Sequence, residues 1–239
     1  MNPDDQVRGA EGALRRALGW AAAGLGGAAL FAGLAVAPPD AVQGQAARLM
    51  YVHVPAAWTA YLAFAVTVLS GIAFLRGRDP RWDRRAQAAA ELGVGLTALT
   101  LALGSLWGRV SWGVWWAWDP RVVSTALLLL VYAGYLAARR ACADPRTAAR
   151  RSAFAGIGGF ALVPLVHFSV VWWRSLHQPA TLLAPDPHPP IDPVMLAALS
   201  LAVAAFTAAA AWLFLRRVAI LERSARPSRR VPVLTGAGR

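Results

Sequence analysis

Six apolar stretches, separated by polar or arginine-rich segments, set the plan of this 239-residue chain. They fall at about 17–37, 56–75, 86–106, 121–138, 152–173 and 193–215. Each approaches the ~20 residues that a helix needs to cross the hydrocarbon core of a bilayer. The pattern predicts an all-α polytopic integral membrane protein, a bundle of six transmembrane helices. Residues 1–16 are a short polar segment, and 216–239 a basic tail expected to be frayed. No internal repeat and no second folded domain is legible. The first stretch also has features of a signal peptide: Arg15 and Arg16 precede it, and Ala35-Val36-Ala37 looks like a cleavage site. Its length exceeds the ~7–15 residues of a signal h-region, so a retained span is the expectation.

Local signals refine the ends of these elements. Pro55 suits the first turn of the second helix, where its missing N–H costs nothing, and this puts His53 just outside that helix. Asp119-Pro120 reads as a helix start, with Asp as N-cap and Pro at the first helical position. Pro164 predicts a kink in the fifth span and a freed carbonyl that His167 is placed to satisfy.

Composition supports the membrane reading and orients it. The chain is 57% hydrophobic and 15% charged, with a mean hydropathy of +0.46, too apolar for a soluble domain of this length. The net charge of +12 arises from 24 basic residues, all arginine. They lie between the apolar runs rather than on one patch, which argues for topology and against nucleic acid. Twenty of them fall in the N-terminal segment, in the turns at 76–85 and 139–151, and in the tail; only Arg48, Arg109, Arg121 and Arg174 fall in the alternate loops. By the positive-inside rule both termini are cytoplasmic, and His53, residues 107–121, His177 and His188 share the outer face. The lone cysteine, Cys142, excludes an internal disulfide or a CxxC redox pair.

The chemistry concentrates in residues 107–121, a loop holding five of the eleven tryptophans. Interfacial tryptophans ordinarily form a belt, which suffices for Trp58, Trp172 and Trp173, but belts are distributed and this cluster is not. Trp112, Trp115 and Trp116 stand at i, i+3 and i+4, so a helical turn would present them on one face as a platform for a planar ligand. Gly108 and Gly113 permit close backbone approach. The outer face offers three histidines and no cysteine, which leaves zinc open but disfavoured. A pair of imidazoles beside an aromatic floor suits haem better, with any of Arg48, Arg109, Arg121 or Arg174 available to a propionate. Each of these residues also has a plain reading. A single loop histidine is ordinarily solvated, Asp119 is a cap, and Arg121 can snorkel to the headgroups. His188 sits in a Pro-rich loop, and His167, deep in a span, is weighed toward structural hydrogen bonding over ligation.

The residues then match a family. Trp112-Gly113-Val114-Trp115-Trp116-Ala117-Trp118-Asp119-Pro120-Arg121 resembles the "WWD" signature of haem-handling proteins in cytochrome c biogenesis. His53-Val54-Pro55-Ala56-Ala57-Trp58 and Trp172-Trp173-Arg174-Ser175-Leu176-His177-Gln178-Pro179 resemble the histidine segments of one branch, the cytochrome c maturation protein C (CcmC) or haem exporter protein C family. The similarity spans roughly residues 15–215. Arg121 after Asp-Pro is as in that branch, whereas the longer haem lyases tend to carry an acidic residue there. Val122-Val123-Ser124-Thr125, Val171 and Arg174 depart from the family pattern.

The resemblance implies that His53 and His177 are axial ligands to the iron of haem b. It implies that Trp112, Trp115, Trp116, Trp118, Asp119 and Arg121 form the platform and signature. The implied role is that of a carrier rather than an enzyme. It holds haem at the outer face of the inner membrane and passes it to a CcmE-type haem chaperone. A CcmA–CcmB-type ABC transporter and a small CcmD-type single-span subunit are the other implied partners, within the lipid of the membrane. Two further readings stand beside it: a haem lyase acting on apocytochrome c itself, and a structural transporter subunit without haem.

Overall fold

The computed structural model describes residues 3–178 and 191–225, so His188 and most of the Pro-rich loop lie outside the described residues. The helices are α1 (Pro3–Phe31), α2 (Met50–Gly77), α3 (Pro80–Ser111), α4 (Pro120–Ala141), α5 (Pro145–Gly159), α6 (Leu162–Trp172) and α7 (Pro193–Ser224). A π-turn at Ala32–Val36 extends α1, and α5 and α6 together make one span. Among the described residues six helical segments are long and apolar enough to cross a membrane, as the hydropathy pattern predicts.

One local device starts four of these helices. Asp79, Asp119, Asp144 and Asp192 each precede a proline, and each carboxylate accepts a backbone N–H two residues on, from Arg81, Arg121, Arg146 and Val194. Aspartate satisfies an orphan donor of the first turn, and proline at N1 has no N–H to satisfy. The arginine-rich turns are therefore shorter than the sequence suggests, because much of their charge lies within helix ends. The basic tail likewise begins as helix, since α7 runs on to Ser224.

Two expectations are corrected at the second and fifth spans. Helix α2 begins at Met50, not after Pro55, so His53 lies inside its first turn and Pro55 two residues further on. A preceding 3-10 turn, Gln45–Leu49, runs straight into α2 and makes the earlier start. In the fifth span the break comes at Phe160–Ala161. Pro164 cannot donate to the Phe160 carbonyl, four residues back. The Val163 amide does so instead, at 2.9 Å, so His167 is not needed there. Gly159 makes the break compact: a Cβ at this position would lie 2.8 Å from Val131 Cγ1.

The core is built from small residues that let helices approach closely, as packing between membrane helices requires. Helices α2 and α3 pack closely together, and Ala56, Ala60 and Ala63 of α2 and Ala86, Ala89, Ala90 and Gly93 of α3 are all buried. Phe64 covers Gly93 and stacks on Tyr132 of α4, with ring centroids 3.8 Å apart. The Tyr132 hydroxyl donates to the Gly156 carbonyl at 2.8 Å, tying α4 to α5. Helix α1 packs chiefly on α7, at the side of the bundle. Ion pairs join the helices toward the arginine-rich end. Arg139 of α4 pairs with Asp83 of α3 and donates to Gln87, and Arg217 of α7 pairs with Glu91 of α3.

Candidate functional site

At the opposite end of the bundle, α2, α3, α4 and α6 surround a cavity of about 350 Å³. It opens beneath the tryptophan loop. His53, Trp58, Trp107, Trp112, Trp115, Arg121, His167 and His177 all line it. Residues from four separate stretches of sequence thus meet in one space.

His177 is positioned by Asp119. The Asp119 Oδ1 atom caps α4 through the Arg121 amide at 2.9 Å and meets His177 Nδ1 at 3.1 Å. Its Oδ2 atom accepts from the Ser175 hydroxyl at 2.8 Å and the Leu176 amide at 2.7 Å. One carboxylate therefore fixes both a helix start and the histidine loop. Burial pushes the Asp119 pKa up, but the Ser175 hydroxyl, the Leu176 and Arg121 amides and His177 together hold it below the usual carboxylate range. The carboxylate is then ionised and can only accept. His177 Nδ1 must carry the proton, which leaves the lone pair on Nε2, the nitrogen free to bind a metal. Burial lowers the His177 pKa, Asp119 opposes this and Arg121 reinforces it, with a net shift below 6.5. The imidazole is neutral at pH 7.

His53 is held differently. Its ring packs edge-on against Trp107, with centroids 5.7 Å apart, and lies over Gly104, where a Cβ would approach His53 Cε1 to 3.1 Å. Its Nδ1 is buried with no hydrogen-bond partner, a costly state for a polar atom unless a ligand meets it. Trp107 is fixed in turn, since its indole N–H donates to Gln43 Oε1 at 2.6 Å, and Gln43 also reaches Gln178 beside His177.

The tryptophan loop is not the helical platform that its spacing suggests. Helix α3 ends at Ser111, Gly113 takes φ +77°, and residues 114–119 are irregular. The i, i+3, i+4 relation therefore has no helix to act on. Trp112 turns inward and packs edge-on against His177, with centroids 4.8 Å apart. Trp115 lines the cavity and is still largely exposed. Trp116 and Trp118 lie outside the lining, edge to face with each other, and Trp118 is 85% exposed. Both are exposed, as are Trp172 and Trp173 at the end of α6. Trp58, read from sequence as a belt residue, belongs to the cavity wall.

The four loop arginines also separate. Arg48 donates to the Gly33 and Ala37 carbonyls and closes the end of the first span. Arg109 donates to the Gly113 carbonyl, and Arg174 is exposed. Arg121 alone lines the cavity; its Nη2 donates to the His167 carbonyl at 2.7 Å, and its Nε is buried without a partner. Of the four, it is the one suited to a carboxylate inside the cavity.

A family model described as "Heme exporter protein C" matches residues 2–231. Heme exporter protein C of Bradyrhizobium diazoefficiens is 42% identical over 149 residues, 62% of this chain and 57% of that protein. A putative cytochrome c biosynthesis ccmC-like mitochondrial protein of Marchantia polymorpha is 37% identical over 154 residues, 64% of this chain and 65% of its own length. These two matches thus span less than two thirds of each relative. Heme exporter protein C of Escherichia coli is 35% identical over 189 residues, 78% of this chain and 74% of that protein. With a family model matched along nearly its whole length, this six-span chain belongs to the heme exporter protein C family.

Proposed function

We propose that this chain holds haem b in the cavity beneath its tryptophan loop and hands it on during maturation of c-type cytochromes. The observation that carries the reading is the meeting of His53 and His177 in one aromatic cavity. The donor set fits haem. Two imidazoles supply axial nitrogens, Trp112 and Trp115 supply apolar surface, and the unpartnered Arg121 Nε suits a propionate. Among the described residues no cluster of three His, Cys, Asp or Glu side chains suits a metal ion bound directly by protein. Relatives named for haem export and cytochrome c biosynthesis support the same reading.

His53 rides on a helix and is the fixed ligand; His177 is on a loop and is the ligand that can leave. Asp119 keeps His177 in the ligand tautomer. The exposed Trp116 and Trp118 offer a surface to the recipient, which we take to be a CcmE-type haem chaperone. A CcmA–CcmB-type transporter and a CcmD-type subunit complete the expected assembly. The arginine bias supports an inner-membrane orientation with cytoplasmic termini and an outer-face site. In this reading the chain is a carrier, not an enzyme.

The test is purification of the full chain in mild detergent with the chaperone co-expressed. Wild type is expected to carry haem with a bis-imidazole absorption spectrum and to load the chaperone. Trp115→Ala is expected to reduce haem retention, and Trp118→Ala to reduce chaperone loading while haem stays bound. A wild type that captures its chaperone but holds no haem would sink the proposal. Loading of apocytochrome c without the chaperone would favour the lyase reading instead.

Acid should release the haem. A histidine with a depressed pKa is neutral above its ordinary value and gains a proton only as pH falls through the lowered one. Ligation by His177 should therefore be flat above 6.5 and decline below it, as a proton competes with iron for Nε2. A pH titration of the absorption spectrum checks this; loss on the alkaline side of 6.5 instead would contradict it.

A further inference from the structure

His53 and His177 are tied to each other through a third segment of the chain. A turn at Asp40–Gly44 precedes the 3-10 turn that leads into α2. Its ends pair: the Gly44 amide donates to the Asp40 carbonyl at 3.0 Å, and the Asp40 amide to the Gly44 carbonyl at 3.2 Å. The Asp40 carboxylate accepts from the Val42 and Gln43 amides at 2.9 and 2.7 Å. Gly44 takes φ +56°, a conformation that side chains disfavour. The turn thus fixes the Gln43 backbone from within, and Gln43 joins the cavity wall.

From there the Gln43 amide reaches in two directions. Its Oε1 accepts from the indole N–H of Trp107 at 2.6 Å, and its Nε2 donates to Gln178 Oε1 at 3.3 Å. An indole N–H can only donate, so Gln43 must present its oxygen to Trp107 and its NH₂ to Gln178. Trp107 packs against His53, and Gln178 follows His177 in the chain. The His177 loop therefore has two tethers. The Asp119 tether is buried, with that side chain 1% exposed, and its acceptor is charged. The Gln43–Gln178 tether is neutral, long and exposed. Charge-assisted bonds are the stronger kind, so the loop gives way first at Gln178.

We infer that Gln43 is a latch on the loop that carries His177, a positioning residue that sets how readily this histidine leaves the iron. This rests on the haem reading of the cavity. With the latch closed, His177 is held in one frame with Trp107 and His53. With it open, Asp119 alone restrains the loop, and the bond from His177 to iron is lost more often. Opening breaks one hydrogen bond between two loops and unpacks no helix.

The test follows two rates in the purified full chain. One is the transfer of bound haem b to excess apomyoglobin. The other, in the haem-free chain, is amide hydrogen exchange over residues 174–178, where the Leu176 and His177 amides are hydrogen-bonded. Q43L removes both bonds of the latch and is expected to speed haem loss roughly 2- to 10-fold, the usual net worth of a hydrogen bond, and to speed exchange. Carboxylates separate a latch from a merely structural residue. Glutamate in Q43E still accepts from Trp107, and Gln178 can turn its amide to donate to it; glutamate in Q178E accepts from Gln43. Each single variant should slow haem loss, because its bond is charge-assisted. Q43E/Q178E sets two acceptors of like charge against each other and should speed both rates. In an H177A background the same pair should not change the rate of haem loss, since the ligand that the latch restrains is gone. A double carboxylate variant as slow as the singles would overturn the latch, as would an equal acceleration with and without His177. Thermal melts identify loss of folding, and if Q43L unfolds the carboxylate series carries the test. A wild type that holds no haem removes the haem reading instead; amide exchange then decides the tether, and exchange in Q43E/Q178E no faster than in wild type would overturn it.

Discussion

His177→Ala and His53→Ala are each expected to convert six-coordinate haem into a weakly held five-coordinate form, with a loss of affinity of roughly 10–100-fold. The two losses should differ in kind. His177 sits on a loop, and its side chain is 20% exposed. Small ligands can reach the space that it leaves, so added imidazole should restore the spectrum of His177→Gly. His53 is pinned inside α2 between Trp107 and the Gly104 backbone. Imidazole has no comparable access there, and rescue of His53→Gly should be poor. Titration of imidazole against each variant reads this directly. Equal rescue at both positions would contradict the division into a fixed and a leaving ligand, and an unchanged spectrum in either alanine variant would remove that residue from the iron.

Asp119→Ala is expected to damage folding and haem binding together. It removes an N-cap, worth about 1 kcal/mol, and strands buried donors that had a charged acceptor, at about 1.5–3 kcal/mol for such a bond. A loss on the order of 3 kcal/mol follows, shared between α4 and the Trp173–Gln178 loop. Asp119→Asn separates the two roles. Asparagine caps a helix as well as aspartate does, so most of the stability of α4 should return. It cannot accept from both the Ser175 hydroxyl and the Leu176 amide through its NH₂ side, and it no longer obliges His177 Nδ1 to carry the proton. Haem affinity should stay about tenfold or more below wild type, as for other carboxylate partners of ligating histidines. The acid limb of haem binding should also shift to lower pH, because Asp119 raises the His177 pKa. If Asp119→Asn restores stability, affinity and the acid limb alike, Asp119 is only a cap.

Both predictions turn on residues whose type was visible in the chain and whose geometry was not. Asp119 is legible as a helix cap because Asp-Pro before an apolar run is a local signal. Its second role needs Ser175, Leu176 and His177, 56 to 58 positions later, and no local pattern reports contact at that range. Trp58 looked like a belt residue because hydropathy places it near a boundary and cannot say which way it faces. The tryptophan loop departs from its spacing for the same reason. Helical periodicity puts Trp112, Trp115 and Trp116 on one face, but α3 has ended by then and Gly113 turns the chain with a positive φ. Arg48 and Arg121 were equivalent as loop arginines. Only packing made one the clamp on the end of the first span and the other a half-buried cation lining the cavity.

By itself the sequence determined six apolar helices, the side-to-side arginine bias and the concentration of tryptophan and histidine around one set of loops. These follow from transfer free energies and local backbone preferences, which act over a few residues and can be read in order along the chain. The tertiary structure alone decided that His53, His177, Trp112, Trp115 and Arg121 line one cavity, and that the cavity runs on to Tyr61 and His167. Small residues such as Ala60, Ala90 and Gly93 set how closely the helices approach, and therefore where space is left between them. That space is a sum over contacts distant in sequence, and the site exists only once the helices have packed.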